Sequence, residues 1–117
     1  MTNGNFYYSN KGKVYKVFGP DDSDALNILS QYLNIIFVSA DKRGFEITKK
    51  RIVKDMGFKL FHVSTFQRLN WLKKKFDLKK CIYMGDGIFD HIIMKYVGYS
   101  VAPLNADVRA KKIANYI

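Results

Sequence analysis

Apolar and polar positions alternate in short blocks along this chain, and the period changes from block to block. Residues 5–18, NFYYSNKGKVYKVF, hold two β-rich runs, Phe6-Tyr7-Tyr8 and Val14-Tyr15-Lys16-Val17-Phe18, around Asn10-Lys11-Gly12-Lys13. That pattern predicts a β-hairpin with the turn at the polar cluster. In GPDDSDALNILSQYL, Asp22 or Ser23 can cap a helix, and Ala25, Leu29 and Leu33 share its face with Leu26 and Tyr32. Ile35-Ile36-Phe37-Val38 reads as a buried strand ending at Ser39-Ala40-Asp41. Residues 45–56 predict a helix, basic on one side, with Ile52 and Met56 together and Gly57 as its stop. A strand is expected over 58–63 and a helix over 65–76, with Leu69, Leu72 and Phe76 on one face. Residues 81–84 predict a strand, 88–97 a helix, 99–102 a strand and 106–114 a last helix, and Tyr116-Ile117 begins a final strand. There are no repeats and no long linker.

Short apolar strands alternating with amphipathic helices require crossover connections. The expected fold class is therefore α/β: a three-layer, Rossmann-like parallel sheet with helices on both faces, plus the small β-hairpin as an insert. Such sheets bind ligands beyond the carboxyl ends of their strands. Three polar clusters fall at such ends: Ser39-Ala40-Asp41, residues 64–68, and Gly85-Asp86-Gly87.

Length and composition bound this picture. The 117 residues, 48% hydrophobic, suit a single domain spanning 1–117 with a real core. Lys and Arg number 20 against 10 Asp and Glu, a formal charge of +10, which favours anionic partners without choosing among them. No signal peptide and no apolar run of about 18 residues is present, so a cytoplasmic protein with no membrane partner is the expectation. Cys81 lies inside Cys81-Ile82-Tyr83-Met84 and reads as a buried small hydrophobe rather than a nucleophile. His62 and His91 match no zinc spacing and read as structural or surface residues. The runs Lys73-Lys74-Lys75, Lys79-Lys80 and Lys49-Lys50-Arg51 read as solvated helix faces and ends. The rival reading, a basic nucleic-acid-binding module, requires exposed aromatic rings beside these lysines. Trp71 and Phe76 are instead expected in core packing.

The most informative stretch is YMGDGIFD, residues 83–90. Two carboxylates stand just past an apolar strand in a chain poor in acids. A hard cation such as Mg²⁺ takes oxygen ligands, typically one or two carboxylates plus phosphate oxygens. Asp86 follows the strand directly, Gly85 and Gly87 let the backbone turn closely, and a helix starting near Gly87 would bring Asp90 back to the same rim. On the local pattern alone the other reading stays open: Asp86 as a turn residue and Asp90 as a first-turn acid favoured by the helix dipole.

YMGDGIFD with the following VGYSVAPLNADVRAKKIANYI resembles the fourth motif and tail of haloacid-dehalogenase-like phosphatases. The likeness is strongest to the capless branch that includes 3-deoxy-octulosonate 8-phosphate phosphatase, and extends to the related domain fused to vertebrate sialic-acid-activating enzymes. It covers essentially the whole chain. NGNFYYSNKGKVYKVFG resembles the insert that replaces a cap in that branch, and IIFVSADKRG resembles the second motif. By that match Ser39 holds the substrate phosphate. QRLNWLKKKF resembles the third-motif region, with Arg68-Leu69 where the family has Lys-Leu; Arg68 keeps the positive charge that binds phosphate. Asp86 matches the family's metal ligand and Asp90 the second acid, which supports the metal site. Asp41 stands where the branch often carries Arg.

The resemblance implies a Mg²⁺-dependent phosphomonoester phosphatase that acts on a small phosphorylated metabolite, a sugar-acid phosphate, through an aspartyl-phosphate. It also implies a homotetramer in which the hairpin closes a neighbour's site. One part of the family pattern is missing. The Asp-x-Asp at the end of the first strand, whose first Asp attacks phosphorus and whose second serves as acid and base, has no counterpart. Met1-Thr2-Asn3-Gly4 resembles the turn that follows it, with Asn3 for Asp. Relative to the family the domain is then N-terminally incomplete. It contains no catalytic nucleophile or acid/base Asp, is expected to be inactive as it stands, and leaves two strand edges without a central partner. Phe6-Tyr7-Tyr8 or a partner chain could fill that slot. Asp21, Asp22 and Asp24 are expected to border the mouth of the site. The alternative is a non-catalytic relative serving oligomerisation or binding.

Overall fold

The computed structural model describes residues 2–117. They form two compact units, Met1–Ser64 and Thr65–Ile117. No described helix is long and apolar enough to cross a membrane.

In the first unit, β1 (Thr2–Ser9) and β2 (Gly12–Phe18) form the expected antiparallel hairpin, turning at Asn10-Lys11. Tyr8 faces Lys13 and Ser9 faces Gly12, and register shifts interrupt the pairing between Thr2 and Phe6 and between Tyr7 and Tyr8. The reading of Met1-Thr2-Asn3-Gly4 as a turn falls partly outside the described residues, since Met1 and the Asn3 side chain lie beyond them. From Thr2 onward that segment is strand. Phe6, Tyr7 and Tyr8 pair within the hairpin and not with another strand. Helix α1 (Asp22–Ser30) carries Asp22 and Asp24 in its first turn, where acids suit the helix dipole, and buries none of its residues.

β3 (Ile36–Ser39) pairs in parallel with β4 (Lys59–His62), from Ile36 opposite Lys59 to Ser39 opposite His62. Between them the predicted single helix is two: α2 (Phe45–Lys49) continues into a wider π-helical stretch, Lys50–Asp55. Gly57, at φ +77°, ends it in the left-handed region where glycine carries no Cβ penalty.

In the second unit, α3 (Arg68–Lys75) leads through a 3₁₀ turn, Leu78–Lys80, into β5 (Ile82–Met84). α4 (Asp90–Met94), β6 (Tyr99–Val101) and α5 (Val108–Ile113) follow. β5 and β6 pair in parallel, and Tyr116 bridges in parallel to Val101 on the far side of β6, where a final strand was expected to begin. The Asn115 side chain accepts from the Ser100 amide at 2.8 Å and from its hydroxyl at 3.0 Å, closing that edge. Two apolar clusters sit in this unit: Met94, Ala102, Ala106 and Ala110 in one, and Leu72, Leu78 and Ile93 in the other. Trp71 packs against the second, as expected; Cys81 also packs there but is only partly buried, and Phe76 is exposed and meets Trp71 edge-on, the ring centroids 6.4 Å apart.

Each parallel pair stands alone among the described residues. β3 pairs only with β4, and β5 only with β6, so β3 and β5 each keep one unpaired edge.

Candidate active site

The Gly85-Asp86-Gly87 loop leaves the carboxyl end of β5, and two turn residues, Ile88 and Phe89, separate it from α4. The helix therefore starts at Asp90, two residues later than the sequence pattern places it. Asp90 is only 6% exposed, and its carboxylate organises the loop. Oδ2 accepts from the Gly87 amide at 2.7 Å. Oδ1 accepts from the Tyr83 hydroxyl at 2.6 Å and from Arg68 Nη1 at 3.2 Å. Arg68 Nη1 also approaches the Tyr83 oxygen at 3.4 Å, while Arg68 Nε is buried with no partner among the described residues. A Cβ on Gly85 would lie 2.6 Å from Asp90 Oδ2, so the loop closes over the carboxylate only because residue 85 has no side chain. Burial, then the Asp90 charge and its hydrogen bond, push the Tyr83 hydroxyl well above the usual phenol range, against the opposing pull of Arg68. Tyr83 therefore stays a protonated donor.

Asp86 is placed differently. Its backbone oxygen accepts from the Asp107 amide at 2.9 Å, which ties the loop to the start of α5. Its side chain is exposed and has no hydrogen-bond or ion-pair partner among the described residues. Beside Arg68 and Asp90 lies a cavity of about 280 Å³, lined by Phe66, Leu69, Phe89 and Ile93 among others.

Ser39 ends β3 in the first unit. Its hydroxyl accepts from the Asp41 amide at 3.2 Å. Asp41 is the hub of this segment. Oδ2 takes both Lys13 Nζ, at 2.8 Å, and Lys16 Nζ, at 2.7 Å, and Oδ1 accepts from the Gly44 amide at 3.0 Å. Lys16 also donates to Thr48 Oγ1 at 2.7 Å. Burial works to raise the Asp41 pKa, but the two lysine hydrogen bonds, the Gly44 amide and the Lys16 charge outweigh it and hold the carboxyl well below the usual range. Asp41 thus pins the hairpin to the β3–α2 connection.

Of the four site residues read from the sequence, Arg68 and Asp90 meet directly. Asp86 lies on the loop that Asp90 holds, its carboxylate without a partner among the described residues, and Ser39 belongs to the other unit. Asp22 and Asp24, expected to border the mouth of the site, lie on the first turn of α1. Tyr83, Lys13 and Lys16 are site-shaping residues that the sequence pattern does not single out. For Tyr83 the available signal was a hydroxyl inside an apolar strand, which needs a partner once buried. Cys81 donates to the Asp77 carbonyl at 3.3 Å, and burial, with the nearby Asp77 charge, pushes its thiol up, away from nucleophilic use. His91 Nδ1 meets the Ile88 carbonyl at 2.6 Å, and His62 stacks edge-on with Phe45 at 5.1 Å.

The family profile of haloacid dehalogenase-like hydrolases matches residues 2–117. The chain belongs to this family. Its fold is shared with solved members. A probable YrbI-family phosphatase from Pseudomonas syringae superposes with a TM-score of 0.82 at 22% identity, over 99% of this chain and 68% of that one. The 3-deoxy-D-manno-octulosonate 8-phosphate phosphatase from Moraxella catarrhalis, solved with magnesium, phosphate and KDO, gives 0.75 at 24% identity, over 99% and 68%. The cobalt-bound deoxy-D-mannose-octulosonate 8-phosphate phosphatase from Haemophilus influenzae gives 0.75 at 20%, over 98% and 69%. This haloacid dehalogenase-like chain thus has the α/β, Rossmann-like class expected of it, and it spans about two thirds of the length of those structures. No curated protein matches it.

Two of these neighbours carry a divalent metal. The residues here fit such an ion in one respect. Among the described residues no group of three or more His, Cys, Asp or Glu side chains is gathered to hold a metal. Both Asp90 oxygens already accept from protein donors, whereas the exposed Asp86 carboxylate accepts from none among the described residues. One carboxylate, with water and phosphate oxygens completing the shell, is within the habit of Mg²⁺ and predicts weak binding by these residues alone.

Proposed function

We propose that this chain is the core of a divalent-metal-dependent phosphomonoester phosphatase acting on a sugar-acid phosphate through an aspartyl-phosphate. The observation that carries the reading is the Asp86 carboxylate, exposed and without a partner among the described residues at the end of β5 in a haloacid dehalogenase-like hydrolase, on a loop held by Asp90. Asp86 is the metal ligand and Asp90 supports its loop from beneath. Ser39 and Arg68 bind the phosphate. A bound Mg²⁺ would supply positive charge to the phosphoryl oxygens. The chain's own residues bind and orient, and none of them is assigned the attack on phosphorus, because the family's Asp-x-Asp has no match here. These 117 residues alone therefore turn over negligibly.

The sugar-acid class rests on the structural neighbours, two of which are octulosonate 8-phosphate phosphatases. Assembly into a homo-oligomer through the hairpin is supported by its exposed Phe6, Tyr7, Tyr8 and Tyr15. The same surface favours the second reading, a non-catalytic relative used for assembly. A nucleic-acid role is less well supported: Lys73 caps the Tyr96 ring at 4.1 Å and Lys75 the Trp71 ring at 5.1 Å, so these rings are occupied by the chain's own cations.

The test is a Mg²⁺ titration of the chain followed by NMR and thermal midpoint. Wild type should respond with shifts centred on residues 85–87, and Asp86→Asn should abolish the response while the fold persists. Equal responses in the two would refute the metal site.

A further inference from the structure

Arg68 and Asp90 form a buried ion pair of an unusual kind. An arginine and a carboxylate normally pair through two parallel hydrogen bonds, fork to fork. Here there is one contact between them, at 3.2 Å. The reason is visible in the other donors. The Gly87 amide holds Oδ2 at 2.7 Å, and the Tyr83 hydroxyl holds Oδ1 at 2.6 Å. Both are shorter than the arginine's bond, so each oxygen already accepts a stronger hydrogen bond than the one the guanidinium makes.

We infer that Tyr83 is a positioning residue that keeps Arg68 available to phosphate. By taking the better lone pair of Asp90 Oδ1, its hydroxyl limits Arg68 to a single long contact, and Nη2 has no hydrogen-bond partner among the described residues, on a side chain that is 13% exposed. The Asp90 charge still orients the guanidinium. A tighter, two-bond pair would neutralise it and turn it away. Tyr83 itself need not touch the ligand. Its phenol both donates to Asp90 and lies within reach of Arg68 Nη1, so it sits at the junction that decides how the cation is shared.

This inference rests on the assignment of Arg68 to phosphate, and the experiment separates the two. Inorganic phosphate is titrated into the 117-residue chain, with binding read from the arginine side-chain NMR signals and from backbone shifts. In wild type the Arg68 guanidinium signals should move on adding phosphate; signals that stay fixed would overturn the inference without any variant. Tyr83→Phe keeps the ring and removes only the hydroxyl. It should weaken phosphate roughly fivefold to tenfold, because Arg68 then closes onto the freed oxygen. Replacing Tyr83 by 4-aminophenylalanine, which restores a donor at the same place, should recover most of that loss. Mg²⁺-induced shifts at residues 85–87 should be the same in all three proteins. If Arg68→Met weakens phosphate but Tyr83→Phe does not, the positioning role is wrong and the phosphate assignment stands. If Arg68→Met has no effect, the phosphate assignment fails and the inference with it.

Discussion

Lys16 Nζ and Lys13 Nζ converge on a single oxygen of Asp41, at 2.7 and 2.8 Å, across 25 and 28 residues of sequence. This joins the hairpin to the segment that carries Ser39. The Asp41 pKa is depressed in the folded chain. Its contribution to stability is therefore complete above the unfolded-state value, near 3.9, and is lost as pH falls through the folded value. Thermal midpoints should drop more steeply for wild type than for Asp41→Asn between about pH 5 and pH 2, with the two curves converging at the acid end. Parallel curves would show that the lysine contacts contribute nothing.

Gly85 offers a steric test. Gly85→Ala places a methyl group against the buried Asp90 carboxylate, whereas a Cβ on Gly87 would lie 3.3 Å from Asp90 Oδ2. Gly85→Ala should cost roughly 2–4 kcal/mol by denaturant unfolding, and Gly87→Ala distinctly less. Equal costs would mean that the loop relaxes freely around Asp90.

The two acids of this loop should separate cleanly by stability. Asp90→Asn leaves Arg68 buried beside a neutral group and should cost roughly 3 kcal/mol. Asp86→Asn, at an exposed side chain, should stay within about 0.5 kcal/mol of wild type. A large loss for Asp86→Asn would show that its carboxylate is structural.

The order of these elements was legible because their local signals agree. Asn10-Lys11-Gly12 between β-rich runs specifies the hairpin turn, and Gly57 ends its helix at a positive φ as read. The boundaries were less legible. The helix expected from Ile88 begins at Asp90, because Asp90 turns back to hold the Gly87 amide and leaves Ile88-Phe89 as a turn. The π-helical widening at Lys50–Asp55 has no local signal in the sequence that we can identify. For α1 the period groups Ala25, Leu29 and Leu33 with Leu26 and Tyr32 on one apolar face, but of these only Leu26 is partly covered and the other four are exposed, since periodicity reports which side is apolar and not whether anything packs on it. The roles of Tyr83, Lys13 and Lys16 depend on which polar groups meet in three dimensions, and residue spacing does not encode that.

The exposed aromatic rows of the hairpin carry a prediction about assembly. If they mediate it, Tyr7→Ser with Tyr15→Ser, which removes an exposed edge-to-face pair at 6.3 Å, should shift the chain to monomer in light scattering while leaving the two parallel strand pairs intact. An unchanged mass would place any interface elsewhere.

The central proposal is that these 117 residues supply metal and phosphate groups but not the nucleophile. A paired assay tests it most directly: Mg²⁺-dependent hydrolysis of an aryl phosphate by the 117-residue chain and by the same chain carrying an added N-terminal segment of about ten residues with Asp-x-Asp at the end of a strand. The account predicts negligible turnover by the first and measurable turnover by the second that is lost in Asp86→Asn. Robust, Asp86-dependent turnover by the 117 residues alone would contradict it and show that another residue attacks phosphorus.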